Sequence, residues 1–269
     1  SDALKFASPA LHADPDWVMK AIESGVSEAL EYAPELLRSD VQFVLQAVRA
    51  NGMAISFASN DLRRDSRVMK RVMHMSPNLV KYASPELLAD KKFVLEAVAR
   101  SGQNLQYASG TLRDDEEVVR AAIGQDGRSF RFASERLSGD PAFARAAVEQ
   151  DPKVLSFCAA ALRSDHAFMM EAARFGGAAV ALQHAEPSLR DSRAFWLDVL
   201  RHDGHALEHA SDQGRSDRQL ALEAVRANWR ALPHAAPELR EDREVLLAAI
   251  EGDADAAAWA SASLLQDIG

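Results

Sequence analysis

Asp90-Lys91-Lys92-Phe93-Val94-Leu95-Glu96-Ala97-Val98-Ala99-Arg100-Ser101-Gly102-Gln103-Asn104-Leu105-Gln106-Tyr107-Ala108-Ser109-Gly110-Thr111-Leu112-Arg113-Asp114-Asp115 opens and closes on aspartate, and its pattern recurs along the chain. Asp40, Asp65, Asp90, Asp115, Asp140 and Asp165 stand 25 residues apart. Asp14 precedes the series by 26, and Ser192, Asp217, Asp242 and Asp267 continue it after a two-residue insertion near Gly176-Gly177. Self-similarity at this period marks an array in which each unit buries its apolar face only against its neighbours. The expected fold is therefore all-α, an α-solenoid of about ten 25-residue repeats, each a long helix, a short helix and a turn. One array is predicted over 1–269, with repeats starting near 14, 40, 65, 90, 115, 140, 165, 192, 217 and 242. Partial repeats fall at 1–13 and from 267.

Within the quoted copy, Asp90 precedes apolar residues at Phe93, Val94, Ala97 and Val98. An aspartate placed so accepts hydrogen bonds from the first, otherwise unpaired, amides of a helix. Ser101-Gly102 stops that helix after about 11 residues, and the glycine reads as a C-terminal stop of the positive-φ kind. The equivalent stops are Asn51-Gly52, Ser76-Pro77, Asp126-Gly127, Asp151-Pro152 and Asp203-Gly204. Leu105, Ala108 and Leu112 follow on one helical face. In Ser84-Pro85 the serine is placed to cap and the proline to take the first helical position. The last turn of each repeat, being short, is expected to be 3₁₀. Seven residues after each cap stand Ala21, Ala47, Ala97, Ala122, Ala147, Ala172, Ala224 and Ala249, interrupted only by Val72 and Val199. A small residue there lets the next helix approach closely.

The recurring phrase Leu105-Gln106-Tyr107-Ala108-Ser109, running through Leu112-Arg113 to Asp115, resembles the family catalogued as domain of unknown function 4116. The likeness covers nearly the whole chain. It implies an all-helical tandem array and brings no catalytic residues with it. The copies between Gly176 and Ala236 depart most from the phrase, carrying histidine where the others carry an aromatic residue.

Composition narrows the function classes. The 269 residues are 48% hydrophobic but only 7% aromatic, with net charge −9. Helices packed closely through alanine fit this balance better than a sandwich does. The acidity disfavours nucleic acid and anionic membrane surfaces, which want a basic stripe. No apolar run reaches the ~20 residues of a membrane span. The opening Ser1-Asp2-Ala3-Leu4 lacks signal-peptide character, so a cytoplasmic location is expected. Cys158 takes an alanine position and reads as a buried small residue.

Three columns carry the candidate function. The aromatic column runs Phe6, Tyr32, Phe57, Tyr82, Tyr107, Phe132 and Phe157, then His184, His209, His234, then Trp259. A stacked packing ladder is its expected role. Its three histidines are too far apart to share one ion, and His202, His205 and His209 straddle the break at Asp203-Gly204, so no metal site is expected. If buried, the column histidines would instead titrate with folding. The second column is an arginine edge of Arg38, Arg63, Arg113, Arg163, Arg190, Arg215 and Arg240, beside the helix starts. It reads either as a grip for acidic peptides or phosphates, or as Arg–Asp ties between repeats. The third is the variable start of each long helix, such as Lys91-Lys92, Glu116-Glu117 and Arg218-Gln219.

No Gly-rich phosphate loop, Gly-x-Ser-x-Gly or His-Glu-x-x-His occurs, so no catalytic residues and no cofactors are expected. The function expected is a non-enzymatic scaffold for a protein or peptide partner. The alternative is a structural spacer with no ligand of its own.

Overall fold

A computed structural model describes residues 8–253 and residue 256. Phe6, Trp259, Asp267 and the partial repeats at the two ends fall wholly or partly outside those residues. Every regular element described is helical. The long helices are Pro15–Glu23, Val41–Ala50, Ser66–Met75, Lys91–Arg100, Glu116–Gln125, Pro141–Gln150, His166–Gly176, Arg193–His202, Arg218–Ala227 and Arg243–Gly252. Each starts directly after an expected cap. Asp14, Asp40, Asp65, Asp90, Asp115, Asp140, Asp165, Ser192, Asp217 and Asp242 all accept a backbone N–H of the first turn.

The short elements differ from expectation in one respect. The 3₁₀ helix is the middle piece of the repeat, as in Gly52–Phe57, Pro77–Tyr82 and Gly102–Tyr107, while the last turn is α-helical, as in Pro85–Leu88. Three-residue bonds such as Asn104 N–H to the Ser101 carbonyl (2.9 Å) and Ala108 N–H to the Leu105 carbonyl (3.2 Å) define the middle piece. The tighter helix places Asn104 and Leu105 inward within six residues, and its adjoining Ala108 is buried as well. Ser84 caps the last turn and Pro85 opens it, as the sequence suggests.

The stop before each 3₁₀ piece also works differently. Among the described residues, positive φ occurs only at Gly25 (98°) and Gly177 (84°), the two places where the 25-residue period is broken. The regular stops use an extended residue instead, Asn51, Asp126 or Asp203, whose side chain accepts an N–H two residues on and starts the 3₁₀ helix. At two of the stops followed by glycine, Gly102 and Gly204, the next repeat is too close for a Cβ. One built on Gly102 would lie 2.5 Å from the Ala122 carbonyl oxygen, and one on Gly204 would lie 2.2 Å from that of Ala224. At the insertion the middle piece becomes an α-helix, Ala178–His184.

The chain divides into two compact units, Ser1–Leu137 and Ser138–Gly269, and the division falls just before the Asp140 cap. In the first unit, the 3₁₀ pieces from Ser27–Leu30 to Gly127–Phe132 pack each on the next. The long helices Pro15–Glu23, Val41–Ala50 and Ser66–Met75 do likewise, as do Lys91–Arg100 and Glu116–Gln125. In the second unit the five long helices pack in series, and the middle pieces pack in series beside them. Val44, Ala47, Ala54, Ile55, Leu105, Ala122 and Phe130 are buried in the first core, and Ala147, Leu155, Phe195, Leu207, Ala224 and Leu232 in the second. The alanine column is buried at every described position except Ala21, which is half-buried.

A backbone hydrogen bond joins one repeat to the next. In the first unit, the amides of Ser59, Ser84, Ser109 and Ser134 donate to the carbonyls of Arg38, Arg63, Leu88 and Arg113 at 2.8–3.0 Å. In the second, Ala159, Glu186 and Ala236 donate to Ser138, Arg163 and Arg215 at 3.0–3.1 Å. At Arg190 the carbonyl accepts the Trp196 indole N–H instead, at 2.7 Å.

Candidate functional site

Five of the seven edge arginines, Arg38, Arg63, Arg113, Arg163 and Arg215, lend their carbonyls to those joints, which fixes their backbone. The side chains of the edge are less available than a solvated row. Arg38, Arg63, Arg113, Arg163, Arg215 and Arg240 are half-buried, and only Arg190 is exposed. Arg38 pairs with Glu35, and Arg63 donates to the Asn60 side chain, both inside their own repeats. Arg163 reaches the next repeat: its guanidinium donates to the carbonyls of Cys158 (3.2 Å) and His184 (3.4 Å) and pairs with Glu186 at 2.7 Å. Arg215 donates to the carbonyls of Ala210 and Glu208. The Nε atoms of Arg38, Arg63 and Arg113 are buried without a hydrogen-bond partner. Arg190 lines an open cleft with Arg193, Trp196, Ser211 and Asp217.

The ties between cations and capping carboxylates come from another column. Lys91 Nζ reaches Asp115 at 2.8 Å, Arg193 Nε reaches Asp217 at 2.6 Å, and Arg218 Nε reaches Asp242 at 3.0 Å. Each donor is the first residue of a long helix, and each acceptor is the next cap, 24 residues on. Hydrogen bonding from Lys91, Arg193 and Arg218 holds Asp115, Asp217 and Asp242 below the ordinary carboxylate range. The same contacts raise Lys91. The sequence showed these cations only as part of a variable helix start. Their role was legible in the 24-residue offset between a basic helix-opening residue and the next cap. A second cross-repeat row joins Lys70 to Glu96 (2.6 Å) and Arg145 to Glu171 (2.8 Å).

The aromatic column lies on the outer face of the middle pieces. Tyr32, Phe57, Tyr82, Tyr107 and Phe132 are half-buried, and Phe157 is 43% exposed. Among the described residues, no ring contact joins one member of the column to the next. The expected stacked ladder is therefore not formed: the rings are half-buried or exposed and stand apart from one another. Lys81 sits 4.9 Å from the Tyr82 ring centre and Arg131 sits 4.5 Å from that of Phe132. The Tyr82 hydroxyl donates to Met53 Sδ of the preceding repeat at 2.7 Å.

The histidine positions separate. His184 is half-buried, and burial followed by the nearby Arg163 cation lowers its pKa. His209 is exposed and lies 3.3 Å from a Glu208 oxygen. His234 is half-buried, with its ring 5.2 Å from that of His205 and nearly perpendicular to it, at 86°. Cys158 is buried, as its alanine column implies, and burial pushes its thiol up to about 12, far from the range of a reactive thiolate.

These observations define an all-α helical-repeat protein whose recurring columns serve packing and joints, with half-buried or exposed rings on its middle pieces. Its repeat phrase is that of a known family. The family profile described as domain of unknown function (DUF4116) matches residues 14–63, 65–113, 90–138, 115–163, 192–240 and 217–265, and the chain belongs to that family. Each match begins on or directly at a helix-capping residue and spans two repeats. The stretch 164–191, which holds the Gly177 insertion, falls between matches. No significant match was found among curated proteins or solved structures. Among the described residues no helix is long and apolar enough to cross a membrane.

Proposed function

We propose that the array is a non-enzymatic scaffold that binds an extended peptide segment of another protein along the ringed edge of its middle pieces. In this reading the repeats continue as an α-solenoid of ten units, because neighbours in each unit pack in series. The single observation that carries the binding role is a half-buried or exposed Phe or Tyr ring in each repeat from Tyr32 to Phe157, flanked by residues that change from copy to copy. Aromatic residues, methionine and arginine are enriched at protein interfaces, and they bring large contact area for few rotatable bonds. The 3₁₀ edge offers Phe57, Tyr82, Tyr107 and Phe132 with Met53 and Arg131 beside them. The flanking positions Ser56, Lys81, Gln106 and Arg131 would then set sequence preference. The arginine edge contributes where no side-chain partner is seen among the described residues, at Arg113, Arg190 and Arg240.

A displayed random-peptide library panned on the full chain tests this. Peptides should enrich, and their binding should weaken at least about tenfold in a Tyr82→Ala/Phe132→Ala variant whose helical spectrum is unchanged. If no peptide enriches, or enriched peptides ignore both substitutions, the scaffold reading falls and the spacer reading replaces it.

A further inference from the structure

The geometry points to a first-row transition-metal site, of the kind zinc occupies, formed by His205 and Glu208 of one repeat and His234 of the next. The three side chains offer ligand atoms that all lie within 4.8 Å of one another. His205 and Glu208 belong to the 3₁₀ helix Gly204–His209, and His234 closes the 3₁₀ helix Trp229–His234 packed against it.

Two features make the grouping a consequence of the fold. In a 3₁₀ helix residues three apart eclipse, so His205 and Glu208 stand on one line, whereas in an α-helix they would be turned about 60° from each other. The cross-repeat partner is also set by register. His205 and His234 are 29 residues apart, the same offset that brings Met53 Sδ to the Tyr82 hydroxyl in the first unit. The two positions are neighbours at both of these joints, and here both are imidazoles. This explains why the column histidines alone suggested no site. His184, His209 and His234 occupy equivalent places in successive repeats, whereas the productive pair combines one column member with a residue from a different column.

The chemistry suits a borderline ion. Two imidazoles and one carboxylate are the donors zinc, cobalt and nickel accept, while calcium and magnesium want oxygen alone. At zinc–nitrogen distances of ~2.0–2.1 Å, tetrahedral ligands stand about 3.4 Å apart. The closing required is at most about 1.4 Å, within the reach of a side-chain rotation for the exposed His205 and Glu208. Existing contacts do not consume the donors: His234 Nε2 is 3.9 Å from Glu208 Oε2, too far for a hydrogen bond. His209 Nε2 lies 3.3 Å from Glu208 Oε1, placed to orient the carboxylate from outside. Arg215 holds the Glu208 carbonyl at 2.8 Å, and the Asp203 side chain accepts the His205 amide at 3.0 Å, so both ends of this short helix are tied down. Bound there, the ion clamps two repeats through three protein ligands and keeps an open position for water.

The test uses the full, tag-free chain after chelator treatment, titrated with zinc chloride by calorimetry. Saturable one-to-one uptake is expected, weakened at least about tenfold by His205→Ala, His234→Ala or Glu208→Gln and unaffected by His166→Ala. Absence of one-to-one uptake, or equal uptake by the wild type and the His205→Ala and His234→Ala variants, overturns the site. Should a variant lose its helical spectrum, the intact chain decides alone. Zinc should raise its melting temperature, and cobalt(II) should give the visible bands of an ion held by nitrogen and oxygen. Failure of both overturns the site. The peptide test at Tyr82 and Phe132 is independent of either result.

Discussion

A single carbon atom separates two kinds of glycine in this chain. Gly102 is fixed because a Cβ there would meet the Ala122 carbonyl of the next repeat at 2.5 Å, whereas a Cβ on Gly124 would meet open space. Gly102→Ala should therefore destabilise the protein by about 1–3 kcal/mol, the scale of overpacking at a joint. Gly124→Ala, inside the helix Glu116–Gln125, should stabilise it by about 0.5–1 kcal/mol through helix propensity. Urea denaturation of both variants reads the difference, and equal effects would refute the close-approach account. The glycine stops were legible in the sequence as breakers, but their reason was not. A positive φ is a local property, whereas steric exclusion by another repeat is visible only after packing.

At the scale of an element, the piece that breaks the pattern is Ala178–His184, α-helical where its counterparts are 3₁₀. Two added residues and the positive φ of Gly177 allow this change. Its last residue, His184, carries a pKa lowered by burial and then by Arg163. A folded-state pKa below the unfolded value of ~6.5 means that the unfolded chain takes up the proton first. The stabilisation is complete above that value and lost as pH falls towards the lower, folded pKa. Stability measured between pH 7.5 and 5 should therefore decline, and His184→Phe, which restores the column's usual aromatic residue, should flatten the decline. An unchanged slope would sink the assignment. The capping carboxylates act in a separate window. Asp115, Asp217 and Asp242 lie below their usual range, so their contribution persists above an unfolded value of ~3.9 and disappears only at more acid pH. The sequence alone placed all three histidines together. Burial distinguishes them, and burial depends on how each middle piece sits on its neighbours.

For the molecule as a whole, stability is a sum over neighbours, since repeats in each unit touch mainly the next in line. Leu105→Ala, at a fully buried position, should cost about 2–5 kcal/mol. The resulting rise in amide exchange should be greatest in the repeats bordering Leu105 and diminish away from it. Exchange that rises evenly across the chain would contradict a neighbour-by-neighbour stack. Cross-repeat ion pairs such as Arg193–Asp217 and Arg218–Asp242 reinforce joints that burial already makes. Solvent screens pairs this exposed, so they tune the joints more than they hold them.

The sequence by itself determined the period, the helix-capping residues, the inward columns at Leu105, Ala108 and Leu112, and the family. All of these follow from local signals, cap chemistry and apolar spacing repeated often enough to be read without ambiguity. Only the tertiary structure decided which piece is 3₁₀, which column of cations ties to the caps, how far the aromatic rings face outward, and that His205 meets His234. Apart from the 3₁₀ geometry, which rests on three-residue backbone bonds, each of these depends on distances between residues about one repeat apart in sequence. Such distances are set by how one repeat leans on the next, a quantity no single copy of the pattern contains.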